Sequence, residues 1–178
     1  MADRHRRRAR RGLLDRGPLP VLRPHRGPRD RGPGVSGLAA VLAGHEPPGV
    51  YLWRSALEPA AVREAVENAD WVLGHVDGWV SDGTSAAFLA DVGRALHFPE
   101  HYGQNFDALA DCLRDIGAGR AGVVLLWDGW ATLARHDERA FGIALDVLAE
   151  RAGSDREVPF TVLLRGDGPA VPGLRTLD

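Results

Sequence analysis

Three aspartates, Asp107, Asp111 and Asp115, recur at four-residue steps inside the segment 105–116. At 100° per residue they fall on one line along a helix. Phe106, Leu109, Leu113 and Ile116 follow the spacing of a buried stripe, centred about half a turn away. One face is thus apolar and the other is a row of carboxylates. Such a row accepts charge-assisted hydrogen bonds from guanidinium or ammonium groups, or supplies oxygen ligands to a hard cation. It also costs roughly 0.2–0.5 kcal/mol per like-charged pair. Asp107 gains from the positive end of the helix dipole. Arg114, three residues beyond Asp111, relieves part of the repulsion. A solvated helix face is the ordinary explanation. The short, stiff Asp in place of Glu favours a face whose carboxylates hold fixed positions.

The elements that position this helix are legible on either side. Asn105 is a natural N-cap. Tyr102-Gly103 predicts a turn, with Gly103 free to take positive φ. Helices are expected over 37–44, 58–69, 82–97, 105–116 and 137–152, and strands over 50–54, 71–76, 121–127 and 160–164, the last of them. Pro59 is tolerated in a first helical turn. Phe88, Leu89, Val92 and Leu96 share one helix face, and Phe98-Pro99 closes that helix. The unbroken apolar run 121–127 suits a strand covered on both sides. Strands separated by helices predict an α/β fold with a small parallel sheet.

The net charge of −2 conceals an asymmetry. Residues 1–48 carry 11 Arg against 4 acids, about +7; residues 49–178 carry 11 Arg against 20 acids, about −9. A globular part this acidic repels nucleic acid and attracts cationic partners. Lysine is absent and arginine is scattered throughout, which reads as codon bias. Residues 1–34 read as a disordered Arg/Pro/Gly-rich arm. Contact with RNA or anionic lipid, or a secretory leader with 35–43 as its apolar part, are the alternatives there. No apolar run approaches the roughly 18 residues of a membrane span. The single cysteine, Cys112, excludes an internal disulfide and suits a reducing compartment, so a cytoplasmic location is expected.

The segment 98–116, FPEHYGQNFDALADCLRDI, closely resembles the central segment of the barstar family, intracellular inhibitors of guanyl-specific ribonucleases such as barnase. The likeness extends over roughly residues 70–165. It implies a three-stranded parallel core made by 71–76, 121–127 and 160–164, with one possible extra N-terminal strand. The expected organisation is the arm (1–34), a helix-strand-helix extension (35–69) and a barstar-like domain (70–178). The resemblance further implies a non-enzymatic inhibitor that plugs the active cleft of a basic ribonuclease, one to one. Asp111 takes the place of the substrate phosphate and Asp107 is a second acidic contact. Tyr102, Gly103, Asn105 and Ala108 match loop and helix-start contacts, and Glu150 matches a rim carboxylate more loosely. Asp115 extends the acidic line. Departures from the family pattern are His101 for a tyrosine, Ala110 for a tryptophan and Arg114 for a small polar residue. His101 and Arg114 belong to the same expected contact face, and these changes point to a partner other than barnase itself.

Other readings use the same residues differently. An immunity protein or orphan regulator would use the same face for another basic partner. A small metal-dependent enzyme would need a site such as His97, His101, Asp107 and Asp111, but Pro99 interrupts the His pair. An Asp-x-x-x-Asp magnesium site lacks a Gly-rich phosphate loop and a partnering lysine. No catalytic residues, metal or cofactor are therefore expected. Cys112 lies between the two helix faces and is expected to be packed. The tryptophans (Trp53, Trp71, Trp79, Trp127, Trp130) sit in or beside strands and read as core.

Overall fold

The computed structural model describes residues 35–178; the expectations of a disordered arm and of contacts made by it lie outside the described residues. The elements run α1 (Val35–Leu42), β1 (Val50–Trp53), α2 (Pro59–Asn68), β2 (Trp71–Asp77), α3 (Ser85–Ala95), α4 (Phe106–Arg114), β3 (Gly122–Asp128), α5 (Ala131–His136), α6 (Glu138–Ala152), β4 (Phe160–Arg165) and β5 (Arg175–Leu177). The fold is α/β, as expected. Its sheet is wider than expected: five parallel strands in the order β2-β3-β4-β1-β5.

The three strands assigned to the core are neighbours, with Trp71 opposite Gly122 and Val123 opposite Phe160. The extra N-terminal strand is present and pairs with β4, Val50 opposite Val162. The segment 160–164 is not the last strand. β5 follows it and pairs with β1, Leu177 opposite Trp53. At three residues, β5 is too short to show an alternation. The six-residue α5 was also missed, for the same reason.

Helices cover both sheet faces. Along β3, Val123, Leu125 and Trp127 pack with α3 to α6, while Val124 and Leu126 face the core shared with α1 and α2. Both sets are buried, which explains the unbroken apolar run. Four tryptophans are buried as expected, but Trp79 is 61% exposed. Its indole lies over Gly129 and Gly166, where added Cβ atoms would stand 2.8 and 2.7 Å from its ring. Among the described residues, no helix is long and apolar enough to cross a membrane.

Candidate partner-binding face

Helix α4 is set by its ends and by its apolar stripe. Asn105 is the N-cap: its side-chain oxygen accepts from the Ala108 amide at 2.8 Å. Leu109 and Leu113 are fully buried, and Phe106 and Ile116 pack partly buried against the same core. The helix ends at Arg114, with Asp115 as C-cap, two residues earlier than the spacing suggested.

The loop before it turns twice through left-handed backbone. His97 (φ 53°) ends α3, and the Phe98 amide reaches back to the Gly93 carbonyl at 2.9 Å. The second such residue is Gln104 (φ 46°), not Gly103. Gly103 instead leaves room for the cap: a Cβ there would stand 3.1 Å from the Asn105 side-chain nitrogen.

Tyr102 points inward. Its ring meets Phe98 edge-on at 5.0 Å and lies over Gly93, where a Cβ would come within 2.9 Å of it. Its hydroxyl is buried with no hydrogen-bond partner. Burial chiefly, helped by the nearby Cys112, pushes its pKa up to about 12. The Tyr102 hydroxyl is therefore not presented to a partner in this structure.

Asp107, Asp111 and Asp115 are all exposed, as are His101, Gly103, Asn105 and Arg114, while Ala108 is half-buried. Asp111 accepts from the Arg114 guanidinium at 2.7 Å; the two side chains remain 68% and 57% exposed. His101, Asp111, Cys112 and Asp115 line one hollow between the loop and α4. Glu150, exposed on α6, lines a second with Ala110 and Arg114. The fold thus brings every expected contact residue to α4, its preceding loop or the flank of α6. Cys112 is half-buried, as its place between the faces implied. Burial first, and then the carboxylates of Asp111 and Asp115, raise its pKa, so the thiol is held protonated.

Two arginines of this region were not singled out from sequence. Arg151 is buried, and its Nε donates to the Leu113 carbonyl at 2.7 Å while Nη2 donates to the Val158 carbonyl at 2.9 Å. It ties the last turn of α4 to α6 and to the entry of β4. Burial lowers its pKa, with the Arg156 charge adding to the effect. Its signal was present: it continues the apolar stripe of Phe141, Ala144 and Leu148, where an arginine is out of place. Arg156 donates to the Arg114 carbonyl at 3.3 Å, and its loop position gave no signal. Among the described residues, no group of three or more His, Cys, Asp or Glu side chains is placed to hold a metal ion.

The sequence profile of the family Barstar (barnase inhibitor) matches residues 82–165, from the turn before α3 to the end of β4. This stretch of the chain is a barstar-family domain. Strands β1, β2 and β5 lie outside the matched residues. No curated protein matches the chain in sequence.

Proposed function

We propose that the chain inhibits a basic, guanyl-specific ribonuclease by seating α4 and its preceding loop in the active cleft. The observation that carries this is the exposed line Asp107, Asp111, Asp115 within the family-matched segment, on a helix whose opposite face is fixed in the core. A cleft that holds phosphate is lined with cationic groups. A rigid carboxylate at Asp111 occupies the phosphate position through charge-assisted hydrogen bonds. The remaining acids speed the encounter. His101, Gly103, Asn105, Asp107, Ala108, Arg114, Asp115 and Glu150 complete the contact, with Tyr102 supporting the loop from beneath. The protein is not itself an enzyme in this reading. It acts one to one, in the cytoplasm, and its partner is an enzyme other than barnase. An immunity role against another basic toxin would use the same face.

Titration against purified guanyl-specific ribonucleases tests this. Inhibition of at least one is expected, weakening as salt rises. Asp111→Ala is expected to reduce affinity by roughly two orders of magnitude, the scale for truncating one partner of a desolvated ion pair. Unchanged affinity in Asp111→Ala would exclude the phosphate-mimic role.

A further inference from the structure

The contact face changes sign along its length. Its first part carries Asp107 and Asp111 and, on the flank, Glu150. At the end of α4 two arginines join the Asp115 cap. Arg114 is exposed there, and Arg156 donates to its carbonyl. Arg114, Arg120, Arg151 and Arg156 line one open groove, shared with Asp115, Asp155 and Glu157. Two of these arginines are committed elsewhere: Arg151 to main-chain carbonyls and Arg120 to Asp70 at 2.8 Å. Arg114 and Arg156 remain, both at the negative end of the helix dipole, where positive charge is favoured. At 1.5 Å per residue, Arg114 stands only about 4–5 Å further along the axis than Asp111.

Arg114 also occupies Asp111 in the free protein, at 2.7 Å. A guanidinium group from a partner that engages both Asp111 oxygens must therefore take one of them from Arg114. Once displaced, Arg114 faces whatever borders the cleft. A cleft with a cationic border would repel it as well as Arg156. We infer that the partner is bipolar: a cationic cleft that takes Asp107 and Asp111, bordered by an acidic side chain that takes Arg114 as it leaves Asp111. Arg114 is then a specificity residue, weakening binding to wholly basic enzymes and strengthening it to the cognate one. This rests on the inhibitor reading above.

The test uses the full chain and a panel of guanyl-specific ribonucleases differing in charge at the cleft border. Association and dissociation rates are measured at low and moderate salt for wild type, Arg114→Ala, Arg156→Ala and Asp111→Ala. Rim charges act mainly on association rate. Arg114→Ala is expected to speed association roughly three- to tenfold with enzymes whose border is basic, and to slow it by a similar factor with those whose border is acidic. Arg156→Ala is expected to do the same to a smaller degree. Opposite signs across the panel, fading with salt, support the inference. A uniform change, or none, overturns it while Asp111→Ala still weakens binding. If no enzyme binds, or Asp111→Ala changes nothing, the inhibitor reading fails and the inference falls with it.

Discussion

Asp128 and Asp111 each pair with an arginine, at opposite extremes of environment. Asp128, at the end of β3, has a side chain only 6% exposed. It accepts from Arg165 Nε at 2.5 Å and Nη2 at 2.6 Å, and His75 Nε2 lies 2.9 Å from its second oxygen. Arg165 further donates to the Leu57 carbonyl and stands 5.8 Å over the Trp53 ring. Both oxygens of that carboxylate are engaged inside the fold, across β2, β3 and β4. Asp111 has one arginine, on its own helix, and is 68% exposed. A carboxylate with its partners supplied by distant strands belongs to stability. A carboxylate with one exposed, exchangeable partner is available to another molecule. The same ion-pair chemistry is spent on folding in one place and, in the function proposed above, held for binding in the other.

The sharpest way to break that contrast is Asp128→Ala. It leaves the Arg165 charge in a largely buried place with no counter-charge, and the expected loss of stability is about 3–5 kcal/mol. Urea unfolding checks this, and the folded fraction should bind as wild type does. A loss below about 1 kcal/mol would show the two pairs to be energetically alike.

The sequence made Asp111 easier to find than Asp128, and the reason is physical. Asp107, Asp111 and Asp115 lie on one helix, so a local spacing places them on one face. Asp128 meets residues 37 and 53 positions away, and no local period encodes that meeting. The same difference runs through the fold. The central strands β3 and β4 declare themselves because both their faces are apolar. The stripe of Leu109 and Leu113 and the Asn105 cap were readable because a helix repeats within a few residues. The edge strand β5 was not readable, because its identity comes from the β1 edge it joins. Gln104, not Gly103, takes the left-handed turn. Residue type allowed either, and packing around the Asn105 cap decides. Trp79 misled because a strand-flanking indole usually enters a core, whereas here it caps two glycines from outside. The inward turn of Tyr102 depends on Gly93 and Phe98, which only the folded chain brings beneath it.

Tyr102 sharpens the comparison, because it lies within the loop before α4 yet is built like the buried region. Its hydroxyl is unpartnered and its pKa is raised from 10.0 to about 12. The folded state thus disfavours the phenolate more than the unfolded chain does. The stability this contributes is fully present below pH 10 and is lost as pH rises through about 12. Two units correspond to at most about 3 kcal/mol, reduced by the partial exposure of the side chain. Tyr102→Phe removes both this alkaline loss and the unsatisfied hydroxyl. It is expected to be as stable as wild type or slightly more so at pH 7, with a shallower fall above pH 10 and unchanged partner affinity. Denaturation midpoints at pH 7, 10 and 11 check the first two points. A drop in affinity for a bound ribonuclease would show that the hydroxyl turns outward on docking.

The smallest expected effect is the most telling for the exposed pair. Asp111→Ala removes the bond to Arg114, which in solvent contributes well under 1 kcal/mol. It also removes repulsion from Asp107 and Asp115, each four residues away. Alanine is the better helix former, by up to roughly 0.7 kcal/mol. The relieved repulsion and the gain in propensity outweigh the lost pair, so the variant should be as stable as wild type or more stable by up to about 1 kcal/mol. Screening weakens both charge terms together, so added salt should move it little. Unfolding midpoints of wild type and Asp111→Ala at low and high salt provide the measurement. A loss greater than about 1 kcal/mol would mean that Asp111 is tied into the fold as Asp128 is. The acidic line would then be part of the scaffold, and its availability to a partner would lose its physical basis.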